Sequence, residues 1–192
     1  MERRKLGFRK LSLTCHLVKK MKPIEPDRVK FFIGILLSDK KLLKKATCFI
    51  EEKFGEIDYT SPDFNFNVSD YYKDEMGSPI LRKFVSFANL INPGELAKIK
   101  IKTNEIENLL SVNNKRKINL DPGYMDLNKV VLASAKYNGQ KIYLDHGIYA
   151  DPTLWYEKGS FHPYPYSFPD FKTGEYIETF IQIRALYKSG RT

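Results

Sequence analysis

Histidine, cysteine and tryptophan are scarce: three, two and one in 192 residues. His16, His146 and His162 form no H-x₃-H pair, and Cys15 and Cys48 form no C-x₂-C pair, so the usual transition-metal ligand spacings are missing. Two cysteines also make no disulfide framework, which fits a reducing compartment and leads us to expect a cytoplasmic protein. Long apolar runs are missing too. Residues 31–37, interrupted by Gly34, are the longest, far short of the roughly 20 a membrane helix needs. There is no G-x-x-x-x-G-K-[ST] loop, no G-x-S-x-G elbow and no G-x-G-x-x-G turn, so the common phosphate cradles and the nucleophile elbow are excluded. Without a phosphate loop, Ala133-Ser134-Ala135-Lys136 and Asn113-Asn114-Lys115 are chance likenesses to the guanine-reading segments of GTPases. Internal repeats and low-complexity tracts are absent as well.

Positive charge is plentiful but unevenly placed. The formal charge is +9, yet residues 1–20 hold seven basic side chains against Glu2 alone. That leaves only +3 for the remaining 172 residues, so the body of the chain is close to balanced. Residues 1–22 therefore read as a basic flexible leader, with no apolar core of a signal peptide. Residues 23–192, with ordinary hydrophobic content, read as one domain.

The periodicities give an element order. Residues 29–37 are β-branched and aromatic, as a buried strand requires, and Ser38 stands in the capping position before a helix over 39–54. Leu42, Leu43, Ala46, Phe49 and Ile50 share one face of that helix, which also carries Cys48, and Gly55 stops it. Residues 57–68 look extended, 80–91 form a second extended run, and 115–120 a short strand. Between them Asn92-Pro93-Gly94 opens a helix whose Leu96, Ile99, Thr103, Ile106 and Leu110 make one stripe. The order β-α-β-β-α-β predicts an α+β fold: a ferredoxin-like split βαβ unit extended by C-terminal β-hairpins and a closing helix carrying Tyr176, Thr179, Phe180, Ile183 and Tyr187.

Asn138-Gly139 predicts a two-residue hairpin, and Asp145-His146-Gly147 a three-residue loop with Gly147 left-handed. Those turns put Val131, Ala133, Ala135, Ile142, Leu144, Ile148, Ala150 and Leu154 on one apolar face. The other face then collects Ser134, Lys136, Lys141, Tyr143, Tyr149, Asp151 and Thr153, with Lys141 opposite Asp151.

Several groupings could carry chemistry. The polar sheet face offers lysines to a phosphate or carboxylate and tyrosines to a base or sugar; the plainer reading is a solvated face with one cross-strand ion pair. Lys100, Asn104 and Glu107 share a helix face that could orient a ligand and exchange a proton, or simply be solvated. The aromatic, proline-rich stretch 149–171 could stack on single-stranded nucleic acid, but has too few basic residues and reads better as a rigid segment packed on the sheet. Asp121, Asp145 and Asp151 are an oxygen-ligand set of the kind magnesium accepts.

Assembled, these segments resemble a bacterial family catalogued as a domain of unknown function, some members of which are labelled GTP-binding. The likeness rests on Tyr71-Tyr72-x-x-Glu75-Met76-Gly77, Lys102-Thr103-Asn104-x-Ile106-Glu107, Arg116-x-x-Asn119-Leu120-Asp121-Pro122-Gly123-Tyr124, Lys129-Val130-Val131-Leu132-Ala133-Ser134-x-Lys136, Ile142-Tyr143-Leu144 and Gly147-Ile148-Tyr149-Ala150. A Tyr-Ser-Phe-Pro-Asp-Phe run at 166–171 resembles the family's aromatic close. Asp151 stands where the family has glutamate, and Gln140-Lys141 where it has histidine and arginine. The resemblance implies no reaction, and the residues lend its GTP label no support.

The expectation is a protein that binds a small anionic ligand, a nucleotide or phosphorylated metabolite, with an enzymatic role left open. Arg116, Lys129, Lys136 and Lys141 would supply positive charge. Glu75, Glu107, Asp121 and Asp151 are the acid–base candidates, and Tyr72, Asn104, Asn119, Tyr124, Ser134, Tyr143 and Tyr149 the other ligand-binding ones. An RNA-binding module and a structural or partner-binding protein are the alternatives, the first because a ferredoxin-like sheet is a common RNA platform.

Overall fold

A computed structural model describes residues 22–68, 73–113 and 115–190. The basic leader up to residue 21 and Tyr72 lie outside the described residues. Chain order is β1 (Val29–Leu37), α1 (Lys40–Phe54), β2 (Ile57–Thr60), β3 (Phe64–Asn65), α2 (Lys73–Met76), β4 (Leu81–Ile91), a 3₁₀ turn (Pro93–Glu95), α3 (Leu96–Leu109) and β5 (Ile118–Met125). Then follow β6 (Lys129–Ser134), β7 (Ile142–Asp145), β8 (Ile148–Glu157), β9 (Ser160–Pro163), α4 (Pro169–Lys172) and α5 (Ile177–Ser189). The strands form one antiparallel sheet ordered β2-β4-β1-β5-β6-β8-β7, with β3 on β4 and β9 on β8.

The first four positions of that order are what a split βαβ pair produces: α1 and α3 each carry the chain past an intervening strand. The sheet then grows by β6 to β9 beyond a simple ferredoxin-like unit. β1 is buried at all nine positions, because both faces of the sheet are covered. Its odd residues, Phe31, Ile33, Ile35 and Leu37, pack under α1 and α3 with Ala46, Ile50, Ile99, Ile106 and Leu110. On the other side Phe32 and Phe84 of β4 join an aromatic core with Phe161, Phe171, Tyr176 and Phe180 from the C-terminal half.

Local signals place most helix ends. Asp39, rather than Ser38, caps α1 by accepting from the Lys41 N–H at 2.8 Å, and Gly55 ends it with a positive φ of 98°. Asn92 and Glu95 form a reciprocal capping box in front of α3. The Leu96-to-Leu110 stripe is buried as the spacing predicts, and so are Thr179, Phe180, Ile183 and Tyr187 of α5 and Tyr176 at its N-terminal cap. Cys48 is exposed, off the buried side of α1.

The β-rich half departs from the expected hairpins. β6 pairs with β8, not β7, so Asn138-Gly139 lies in a connection that carries the chain past β8. The turn between β7 and β8 has two residues, not three: Asp145 pairs with Ile148, and His146 and Gly147 both have positive φ, at 52° and 74°. An extra residue in β8, Thr153 between Pro152 and Leu154, turns Leu154 into the aromatic core, while Val131, Ala133, Ile148 and Ala150 stay on the α3 side. Ile142, expected inside, is exposed on the edge strand β7. The extended run 57–68 divides into β2 and β3. The 115–120 strand begins later and runs straight through Asp121-Pro122-Gly123-Tyr124 as β5.

Candidate functional site

Pro122 and Gly123 create the site by parting two strands. The β5–β6 ladder holds only from Met125 to Gly123, paired with Val130 to Leu132. Gly123 sits so close to β6 that a Cβ there would lie 2.6 Å from the Val131 carbonyl oxygen. Pro122 has no N–H to carry the ladder further. Beyond it β5 turns its polar residues, Asn119 and Asp121, toward a cavity of about 750 Å³ whose other wall is Leu132, Ala133 and Ser134 of β6. α3 satisfies the strand edge that β6 leaves: Lys100 Nζ donates to the Leu120 carbonyl at 2.7 Å, and the Leu120 N–H donates to Glu107 Oε1 at 2.7 Å. Two of the three polar residues read on one helix face are therefore buried substitutes for a missing strand. The third, Asn104, lines the cavity and has no hydrogen-bond partner among the described residues.

A buried arginine forms the floor. Arg82 starts on β4, two strands away from Asp121 on β5, with β1 between them. Gly34 of β1 lies opposite Asp121 and carries no side chain, so the guanidinium passes over it; a Cβ there would come 3.0 Å from Nη1. Nη1 donates to Asp121 Oδ2 at 2.8 Å and Nη2 to Asp170 Oδ2 at 3.2 Å. Tyr176 adds its hydroxyl to the same Asp170 oxygen at 3.4 Å, and the guanidinium lies over Phe66 and Phe84. Arg82 Nε has no acceptor: among the described residues it is the one fully buried side-chain donor or acceptor without a partner.

This packing sets the charges apart. Burial works against the Arg82 charge, but Asp121 and Asp170 hold it protonated well above its ordinary range. Burial raises Asp121, and the Arg82 and Lys100 charges outweigh it, so its carboxyl falls below the ordinary value. Asp170 goes the other way: burial and the nearby Asp121 charge lift it despite Arg82. Two carboxyl groups on one guanidinium are thus shifted in opposite directions, because Lys100 helps hold one charge while burial and the neighbouring carboxylate oppose the other.

Arg116 makes the second cluster. Its Nε and Nη2 each donate to Glu75 at 2.8 Å, and Nη1 reaches Glu107 at 3.2 Å and Asn119 Oδ1 at 3.0 Å. Asn119 passes the chain on by donating to Asp121 Oδ1 at 2.8 Å. The hydrogen bonds from Arg116 hold the Glu75 carboxyl below its ordinary range. Lys141 makes the third cluster: its Nζ lies 3.3 Å from Asp151 and donates to Ser134 Oγ at 2.8 Å, with the Phe168 ring nearby. Burial pushes the Asp151 carboxyl up, more than Lys141 lowers it.

The candidates thus divide. Asn104, Glu107, Arg116, Asn119, Asp121, Ser134, Lys136, Lys141 and Asp151 line the cavity, and Glu75 grips Arg116 at its edge. Tyr124 and Lys129 do not: they line a separate depression of about 310 Å³ with Asp126 and Tyr187, and Lys129 is paired with Asp126. Tyr149 stands behind Tyr137, ring centroids 5.6 Å apart, and Tyr143 is exposed on the β7 edge. The magnesium trio is not gathered: Asp121 spends both oxygens on Arg82 and Asn119, Asp151 faces Lys141, and Asp145 is exposed at the end of β7 beside His146. Arg82 and Asp170 were missed. Arg82 hides in an extended run where alternation allows a solvated side chain; Asp170 was visible only as part of the 166–171 motif.

The chain belongs to the family described as Domain of unknown function (DUF4416), which matches residues 27–187. No curated protein and no solved structure matches it.

Proposed function

We propose that the cavity binds a small anionic ligand of the size of a nucleotide or phosphorylated metabolite. One observation carries this reading. Polar residues from α3, β5, β6 and the segment before β7, far apart in sequence, converge on a single 750 Å³ cavity between parted strands, within the roughly 300–1,000 Å³ typical of small-molecule sites. Arg116, Lys136 and Lys141 face the ligand's charge, Asn104 and Ser134 orient it, and Tyr137 and Phe168 offer rings to its body. Their carboxylate and hydroxyl partners keep Arg116, Lys141 and Ser134 fixed, so little of their order is lost on binding.

An RNA platform fits less well. It needs an open sheet face, and here α1 and α3 cover one side of the central strands while the C-terminal aromatic segment covers the other. No described helix is long and apolar enough to cross a membrane.

Native mass spectrometry of the freshly purified chain should show a phosphorylated adduct, or uptake of one from a mixture of AMP and glycerol phosphate. Asn104→Ala removes a side chain with no hydrogen-bond partner among the described residues, so it should weaken uptake by about tenfold while leaving the fold intact. A chain that stays bare with these phosphate monoesters, yet holds single-stranded RNA, would favour the platform instead.

A further inference from the structure

The cavity that this reading assigns to an anion is not simply cationic. Five cations line it, Arg82, Lys100, Arg116, Lys136 and Lys141, but so do four carboxyl groups, Glu107, Asp121, Asp151 and Asp170. A site for an anion must account for those negative charges. Glu107 and Asp121 are fully used, each accepting at both oxygens from Arg116, the Leu120 N–H, Arg82 and Asn119. Asp170, on the floor of the cavity, accepts from Arg82 and Tyr176 through Oδ2 alone. Asp151 stands instead on the lysine wall. It meets Lys141 through Oδ2 alone, and its other oxygen accepts no hydrogen bond from any described residue. The acceptor lies next to Lys141 and Ser134, on the wall where the anion's charge is met.

We infer that Asp151 makes the cavity selective for oxyanions that still carry a proton, hydrogen phosphate and singly protonated phosphate monoesters, over fully ionised ones such as sulfate. The inference rests on the anionic-ligand reading and sharpens it. An ionised carboxylate only accepts hydrogen bonds. A protonated oxyanion donates its O–H to the free oxygen while its other oxygens face Lys141 and Lys136. A proton-free anion of the same shape sets oxygen against oxygen and charge against charge at that contact. Discrimination of this kind, a buried polar group left unpaired by the wrong ligand, is larger than size or shape alone supplies.

Four tetrahedral anions separate the two ideas. The full chain, isotopically labelled, is titrated at neutral pH and constant ionic strength with phosphate, arsenate, sulfate and selenate, reading the amide shifts of Ser134, Lys136 and Asp151. Phosphate and arsenate keep a proton there; sulfate and selenate of matching geometry do not. Saturation by the first pair should occur at concentrations about tenfold or more below the second pair. Asp151→Asn presents an N–H donor to the anion, so sulfate should gain and come within about twofold of phosphate. If that variant fails to fold, the four-anion comparison on the unaltered chain still decides. Sulfate saturating the same amides as tightly as phosphate overturns the selectivity while keeping the anion site. No saturation by any of the four removes both the selectivity and the anion reading beneath it.

Discussion

Two buried cations sit on the same sheet and serve different ends. Lys30, near the start of β1, is almost fully buried; its Nζ pairs with Asp58 and donates to the Phe87 carbonyl at 2.7 Å, while Ser86 donates to the other Asp58 oxygen at 2.6 Å. Nothing there is left over and no described cavity touches it. Arg82 is equally buried, but it is shared between two carboxyl groups of opposite pKa shift, keeps an unpartnered Nε and forms the floor of the large cavity. Burial of a charge is therefore no mark of a functional site by itself. The mark is an unfinished hydrogen-bond account beside open volume.

The comparison breaks most sharply under truncation of each cation. Arg82→Met leaves Asp170 without its counter-charge and Asp121 with Lys100 alone, and should cost about 3–5 kcal/mol in denaturant unfolding and abolish anion binding. Lys30→Met leaves Asp58 with Ser86 and a partial route to water, and should cost about 1–3 kcal/mol with ligand uptake unchanged. Equal losses of binding in the two variants would erase the distinction between them.

A smaller effect tests the passage over β1. Gly34→Val places methyl groups where the guanidinium crosses, and should destabilise by about 1–3 kcal/mol through overpacking. Restoring room with Arg82→Lys in the same chain should recover part of the stability and none of the anion affinity, read by unfolding and by phosphate titration in parallel. Simple additivity of the two changes would show that Gly34 does not serve the crossing.

The smallest effect concerns the edge cluster and is a matter of pH. Glu75 is held below its ordinary value of 4.5 by the Arg116 hydrogen bonds. A lowered carboxyl contributes stability that is present above the ordinary value and fades as pH falls through the folded one. Glu75→Gln should therefore be less stable than the parent at neutral pH, by about 1 kcal/mol or less for so exposed a pair. The gap should close in acid, as midpoints of denaturant unfolding across pH would show. A gap that widens in acid would assign the opposite sign to Glu75. Asp151 and Asp170, both lifted by burial, add stability as pH falls and so offset part of the acid loss from Glu75 and Asp121.

Much of the frame was legible. The stripe on α3, the doubly apolar β1 and the closing helix all follow from periodicity, because each is written in residues three to four apart or in alternation along a few positions. The Lys141–Asp151 pair also follows from the β7–β8 hairpin, whose Ile142–Ala150 register is as expected, although the Asn138-Gly139 hairpin does not form. β8 lies between β6 and β7, and Asp151 faces Lys141 from that central position. The Asp121-Pro122-Gly123-Tyr124 block drew attention as a polar cluster. Its working part is the proline and glycine inside a central strand, a use that a local reading of Pro-Gly as a turn conceals.

What the sequence determined alone was the inventory: two crossover helices, strands buried on one or both faces, a nearly balanced domain and a set of polar residues poor in metal ligands. Tertiary structure decided which of those residues meet. Arg82 finds Asp121 across 39 residues and Asp170 across 88, and only strand order and the bare Gly34 bring them together. The reason is one of range. Periodicity and capping are set by neighbours a turn away, whereas a cavity arises where two strands that could have paired do not. No local pattern records a ladder that stops at Pro122.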